Sequence, residues 1–305
     1  MPQTRIEMSE KGLVEKISAV PRNDAHRLIE ECMIAANVQA AKYIRKNQIA
    51  GLYRVHAKPD PERFDELRLY LVGLGLKVPH PDHVEPRQFN NIIQQVKDRP
   101  DSAAISMAML RSLTHAEYTP KNIGHFGLAL DAYAHFTSPI RRYPDLLVHR
   151  AIRHIVRGGK PGNYSYDNSA MEHLGTTCSA YERRAEVATR EVEAWLKCQY
   201  MEDKVGEQYN GVVTGVTNFG VFVQIPELQI DGLVHVTSLQ NDYYKFDPGS
   251  QSLVGERSGQ RYGLGDKMEI VVAKVDLDTK RIDFQLVANG RKPRSGAGGR
   301  RKAKR

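Results

Sequence analysis

The apolar positions of the first twenty residues alternate. TRIEM and LVEKISAV flank the turn signal Glu10-Lys11-Gly12, which predicts a β-hairpin. From Asn23 or Asp24, either a good cap, the period changes to that of a helix. Leu28, Ile29, Cys32, Met33, Ala36, Ala40 and Ile44 fall on one stripe. Residues 61–75 and 86–97 predict two more helices, separated by the Pro-rich VPHPDHVEP, and residues 101–116 a further one that ends before Pro120. HFGLALDAYAHF alternates and fits either a strand or extended chain. Pro139 suits the first turn of a helix running to about Arg157, where Gly158 and Gly159 stop it. After the polar loop GGKPGNYSYDN, residues 168–203 predict one long helix. Its buried stripe would hold Met171, Leu174, Cys178, Tyr181, Val192, Trp195 and Leu196.

At Gly206 the pattern shortens. GVVTGV, GVFVQI, GLVHV, EIVVAKV and IDFQL are β-rich runs bounded by Gly, Asp and Asn, and five of them predict a small barrel. The expected fold class is α+β. Residues 1–204 are mostly helical, 205–288 form the five-stranded barrel, and 289–305 form a disordered basic tail.

Charge sharpens this division. The 305 residues carry 44 Lys and Arg against 36 Asp and Glu, a net of +8. Residues 291–305 hold eight basic residues and no acid, so the folded part is neutral in sum. Within it, residues 1–205 have 29 basic against 25 acidic residues, and residues 206–287 have 7 against 11. A polyanion would therefore need a local patch on the folded part. No apolar run approaches the roughly 18 residues that span a bilayer, and the N-terminus lacks a secretory signal. Cys32, Cys178 and Cys198 match neither a disulfide framework nor a CxxC zinc site. A reducing cytoplasm is expected, with Cys32 and Cys178 as buried thiols.

The strongest chemical signal is AHFTSPIRRYPDLLVHRAIRHIVRGGK. From Pro139 to Lys160 it has Arg141, Arg142, Arg150, Arg153, Arg157 and Lys160, with Asp145 as its one acid. Arg141 and Arg142 are expected in the first helical turn, where free N–H groups and the dipole favour an anion. An arginine fork there suits a phosphate. A solvated Arg-rich helix with surface ion pairs is the alternative from composition alone.

HFGLALDAYAHFTSPIRRYPDLLVHRAI, RNDAHRLIEECMIAANVQAA and ERRAEVATREVEAWLKC together resemble the C-terminal half of the catalytic (RNB) domain of ribonuclease R-type enzymes. These are 3′→5′ exoribonucleases of the ribonuclease II superfamily, which release nucleoside 5′-monophosphates. YNGVVTGVTNFGVFVQIPELQIDGLVHVTSL resembles an S1-type OB-fold domain, and the basic tail follows in the order seen in that family. The resemblance implies that Arg141 holds the scissile phosphate as a catalytic residue. It implies RNA contacts at Glu30, Arg142 and Tyr143, and on the barrel at Phe219, Phe222, His235 and Arg281, with Asp276 beside them. Glu30 could instead be a surface residue paired with Arg27, and Tyr143 and Phe222 could belong to the core. Another RNA-touching glutamate of the superfamily is matched here by Thr189, which carries no role over.

The family cuts RNA with four aspartates that bind Mg²⁺. Such a cluster would lie upstream of the opening hairpin, and no dense Asp motif occurs in residues 1–305. No metal ligands are therefore assigned in this chain. It is expected to be the C-terminal portion of such an enzyme, inactive by itself, or else a non-catalytic RNA-binding module. Single-stranded RNA 3′ ends are the expected partner, no membrane is involved, and the chain is expected to be a monomer. A DNA-binding role fits less well, because S1-type barrels favour single strands, usually RNA. The tail is expected to add salt-sensitive, sequence-independent affinity, against the alternative of a solubility tail. Deleting residues 291–305 should therefore flatten the salt dependence of RNA binding. An unchanged slope would remove the tail from the account.

Overall fold

A computed structural model of the chain describes residues 4–80, 84–99, 101–239 and 242–287. The alternation at the start becomes the antiparallel hairpin β1 (Thr4–Met8) and β2 (Val14–Ala19), with Thr4 opposite Ala19. Asn23 caps α1 (Asp24–Lys46), its side-chain oxygen accepting from the His26 N–H at 3.1 Å. Only the C-terminal half of the α1 stripe is buried, through Ala40, Ala41 and Ile44 packed with residues of the Arg-rich helix. Leu28 and Ile29 are 64% and 59% exposed, and Cys32 is exposed as well. The expectation of a buried Cys32 is thereby corrected. Residues 24–32, the N-terminal end of α1, are all exposed.

Strand β3 (Tyr53–Val55) leads to α2 (Pro61–Gly73), α3 (Pro86–Val96) and α4 (Ser102–Ser112). The three helices share a core of Phe64, Leu71, Phe89, Ile92, Ile105 and Met109. Helix α4 ends earlier than its pattern predicts, because residues 117–119 form β4 and pair with β3, Tyr53 opposite Thr119. HFGLALDAYAHF makes no strand. It holds a 3-10 turn at Phe126–Leu128 and isolated bridges from His125 to His56 and Leu130.

The Arg-rich helix α5 covers Tyr143–Val156, and Pro144 rather than Pro139 takes the first-turn position. Arg142 is the N-cap residue and Arg141 precedes it, so neither lies in the first helical turn as expected from Pro139. The physical reason is a tight turn ahead of the helix. The N–H groups of Arg141 and Arg142 both donate to the Ser138 carbonyl, at 3.3 and 3.1 Å. Helix α6 (Asn168–Glu202) is the single long helix predicted. Its two ends are packed, Met171 under β4 and Cys198 and Met201 in the core of the barrel. Its middle is open: Tyr181 and Val192 are each 58% exposed and Trp195 is 41% exposed, so the continuous buried stripe is corrected to two terminal patches. Cys178 is half-buried rather than buried.

Five strands close the barrel in the order β11-β12-β7-β6-β5. They are β5 (Gln208–Thr217), β6 (Gly220–Ile225), β7 (Ile230–His235), β11 (Lys267–Asp276) and β12 (Arg281–Leu286). Alternation drives it: Val221, Val223, Ile225, Ile230, Val234, Ile270 and Phe284 point inward and are buried. Between β7 and β11 lies a separate three-stranded sheet of β8 (Tyr244–Asp247), β9 (Ser252–Gly255) and β10 (Arg261–Gly263), which the sequence pattern does not announce. The predicted tail lies outside the described residues.

Candidate functional site

The turn before α5 is held by one carboxylate. Asp145 is fully buried, and its Oδ1 accepts from the Ser138 N–H and from Arg142 Nη2, both at 2.8 Å. Arg142 is therefore committed to holding the turn. Arg141 is exposed, and it makes no side-chain hydrogen bond or ion pair among the described residues. An arginine left free on a rigid turn loses little freedom when it meets an anion, which suits it to a bidentate phosphate contact.

Asn37 fixes the approach to this turn. Buried on α1, its Oδ1 accepts from the Phe136 and Thr137 N–H groups at 2.9 and 3.2 Å, and its Nδ2 donates to the Tyr133 hydroxyl at 2.9 Å. Neither Asn37 nor Asp145 was singled out as functional from the sequence. A polar residue in an apolar stripe was the available signal for Asn37, and the lone acid in an Arg-rich run was that for Asp145.

Arg141, Arg142 and Tyr143 line a groove of about 760 Å³ whose other wall is the exposed middle of α6. Tyr118 forms its floor. Gly175 of α6 lets the helix approach β4, since a Cβ there would come within 2.5 Å of the Tyr118 carbonyl oxygen. Glu182 reaches Arg54 Nη1 at 2.5 Å, and the Arg54 guanidinium lies 4.6 Å over the Tyr118 ring. The Tyr118 hydroxyl is 2.8 Å from His135 Nδ1 and 3.4 Å from Glu182 Oε1. Burial, then the nearby Arg142 and Arg54, push the His135 pKa down to about 3, so its ring is neutral. Burial likewise raises the Tyr118 phenol far out of the physiological range. The positive charge facing the groove at this end is thus carried by arginine. Arg190, Glu186, Thr189 and Glu193 continue the wall, so the groove is mixed in sign and its positive charge is local.

Glu30 is not among the residues lining this groove. It is exposed and pairs with Arg22, while Arg27 pairs with Asp24. Tyr143 is 43% exposed and not core, with its hydroxyl accepting from Arg150 Nη1 at 3.2 Å.

On the barrel, Phe219, Phe222 and His235 share one outer face. Phe222 lies half-exposed between the inward Val221 and Val223, so it is not core. Its ring meets that of Phe219, 45% exposed, edge to face at 6.1 Å. His235 is exposed and sits opposite Gly220 in the β6–β7 ladder. Gly220 permits that close pairing, because a Cβ there would lie 2.4 Å from the Val234 carbonyl oxygen. The register places Phe222 opposite Leu233, and Leu233 opposite Asp283. Arg281 is exposed, two residues before Asp283, and is paired in the ladder with Asp276, on a strand separated from β6 by β7. Asp276 itself contacts Lys274 at 3.7 Å.

Among the described residues, no three His, Cys, Asp or Glu side chains converge to hold a metal ion, and no helix is long and apolar enough to cross a membrane.

Comparison with known proteins finds matches for both parts of the chain. Residues 202–286 match the S1 RNA binding domain. The chain is 49% identical over 301 residues to ribonuclease R of Escherichia coli K12, covering 96% of this chain and 37% of that protein. It is 48% identical to ribonuclease R of Vibrio cholerae, again covering 96% and 37%. It thus spans little more than a third of the length of these relatives. Among solved structures, the apo form of Mycoplasma genitalium RNase R superposes with a TM-score of 0.87 at 26% identity, covering 94% of this chain and 45% of that one. The same enzyme in complex with ribose-methylated single-stranded RNA gives the same TM-score and coverage. Residues 1–158, which contain the Arg141 turn and helix α5, match the RNB domain, and the chain belongs to the RNB family.

Proposed function

We propose that this chain is the substrate-holding part of a 3′→5′ exoribonuclease of the ribonuclease R type. In this reading residues 1–204 belong to the catalytic domain and residues 205–288 form its RNA-binding barrel. The observation that carries it is the unpaired Arg141 on a braced turn at the mouth of the groove. Its guanidinium offers parallel N–H donors to the two non-bridging oxygens of the last phosphodiester. It would stabilise the extra negative charge that builds there as the bond to the 3′-terminal nucleotide is cut. Tyr143 borders the same end of the groove and presents a ring to the nucleotide. Arg142 contributes indirectly, through its pair with Asp145.

The named relatives are ribonucleases R, and one solved relative is titled as bound to single-stranded RNA. Single-stranded RNA with a free 3′ end is the substrate class this suggests, met in the bacterial cytoplasm. Family chemistry draws on Mg²⁺ held by aspartates. The described residues offer no such cluster, so they do not fit that ion and no step is assigned through it. The reading for these 305 residues alone is binding without cutting, since their sequence has no dense Asp motif.

The test is to mix the purified chain with labelled single-stranded RNA and Mg²⁺. Binding without shortening is expected. Arg141→Ala should weaken binding by about 10- to 100-fold, the worth of roughly 1.5–3 kcal/mol for hydrogen bonds to a charged group. Arg141→Lys should fall between, because it keeps the charge and loses the fork. Steady release of mononucleotides that Arg141→Ala abolishes would overturn the assignment of this chain to holding alone.

A further inference from the structure

The C-terminal half of α5 forms, with the loop after it, a second basic hollow of about 570 Å³. Arg150, Arg153 and Arg157 project into it with Tyr164 and Tyr166, and no acid lines it. Arg153 and Arg157 are exposed, one helical turn apart on the same face, and make no side-chain hydrogen bond or ion pair among the described residues. Arg22, Arg27, Arg54, Arg68, Arg99 and Arg142 are paired with acids, while exposed Arg45, Arg63, Arg87 and Arg190 are not. What sets Arg153 and Arg157 apart is their convergence with two tyrosines in one acid-free hollow. The Tyr164 hydroxyl is buried without a hydrogen-bond partner, and its ring packs against His154 at 5.0 Å and Tyr166 at 5.6 Å.

A helix C-terminus favours cations through its dipole, which accounts for a charge in the last turn. It does not account for Arg150, two turns earlier, nor for the tyrosines. Arg150 connects the hollow to the groove. Its Nη1 donates to the Tyr166 hydroxyl at 2.8 Å, inside the hollow, and to the Tyr143 hydroxyl at 3.2 Å, on the groove wall. One helix thus presents Arg141 just before its start and Arg153 and Arg157 at its end, about 20 Å apart at 1.5 Å per residue.

We propose that this hollow is a second phosphate-binding site, which holds the RNA backbone several nucleotides 5′ of the phosphate at Arg141. It rests on the reading of Arg141 given above. Free arginines bordered by aromatic rings suit a nucleic acid better than an acidic peptide, because the partly buried tyrosine rings add apolar and aromatic contact to the charges. The route between the two sites runs past Tyr143 and Arg150.

The experiment uses the full 305-residue chain and two homopolymeric RNAs, one of three nucleotides and one of about twelve, across a salt series. Arg153→Ala/Arg157→Ala should leave the melting temperature and the affinity for the trinucleotide unchanged. For the longer RNA it should lower affinity at low salt about 10-fold or more. It should also reduce the slope of log K against log salt by about 1.4, two contacts at roughly 0.7 each for a single strand. Arg141→Ala should weaken both RNAs. If Arg141→Ala has no effect while the double variant acts as described, the groove reading fails and the hollow stands as an independent RNA site. An unchanged affinity and slope for the longer RNA in the double variant overturns the hollow. So does a double variant that loses binding to a polyglutamate peptide while keeping its RNA affinity, which would assign the hollow to an acidic protein.

Discussion

Asp145→Ala is expected to destabilise the chain by about 3–5 kcal/mol, the usual cost of removing one partner of a buried ion pair. The carboxylate is fully buried and holds two groups at once, the Ser138 N–H and the Arg142 guanidinium. Without it, a guanidinium that is 23% exposed keeps its charge and loses its counterion. At roughly 2–4 °C per kcal/mol for domains of 150–250 residues, the melting temperature should fall by about 6–20 °C. Asp145 Oδ2 and Arg142 Nε have no hydrogen-bond partner in the protein, which places the expected loss toward the lower end of that range. Asp145→Leu combined with Arg142→Met should recover much of the stability, because a packed apolar pair replaces a buried charge pair at little cost. It should not recover RNA binding, because the turn that presents Arg141 loses its brace. Urea denaturation and anisotropy with labelled RNA separate the two effects. An Asp145→Ala protein that melts with its parent would show that the turn does not depend on this pair.

The elements with a strong local signal were legible in the sequence. The opening hairpin, the Asn23 cap, the long α6 and the barrel strands each rest on period, cap or turn residues that act within a few positions. What was misread depends on partners distant in sequence. Leu28, Ile29 and Cys32 carry a helical apolar period, yet a period states only which face would be buried if something covered it. The same holds for Tyr181, Val192 and Trp195 on α6. Strands β3 and β4 are three residues each, too short to show alternation, and exist because they pair with one another. Pro139 suits a helix start by local rules, yet the structure closes a turn there through the Asp145 carboxylate and the Ser138 carbonyl, and the helix begins at Tyr143.

The candidate site divides along the same line. Arg141 stood out because it lies in a run of arginines at an expected helix start, and Tyr143 came only with the family resemblance. Asn37, Arg54, Tyr118, His135 and Glu182 did not stand out, since each is a common residue type whose role comes from contacts over long sequence separations. Arg54 and Glu182, for example, meet at 2.5 Å across 128 residues. Arg142 was the converse case. It reads as a second phosphate ligand beside Arg141, and three-dimensional contact with Asp145 turns it into the strut of the turn.

Replacing both Phe219 and Phe222 by alanine is expected to weaken single-stranded RNA binding by about 2–6 kcal/mol, from roughly 1–3 kcal/mol for each base stacked on an aromatic face. The barrel segment has 7 basic residues against 11 acidic ones, so bulk charge cannot supply its affinity. The exposed rings are the groups on that face able to hold bases without regard to sequence. The two losses should not add. Phe222 braces Phe219 edge to face at 6.1 Å, so Phe222→Ala alone should remove its own stack and loosen its neighbour. Stability should change little, because Val221 and Val223, not Phe222, fill the interior of this strand. The diagnostic is salt. Stacking releases few counterions, so the double variant should lower affinity at every ionic strength and leave the slope of log K against log salt unchanged. Arg281→Ala should do the reverse, with a small loss of affinity and a reduced slope. A double variant whose slope falls while its low-salt affinity holds would assign the barrel's RNA binding to charge and remove the two phenylalanines from it.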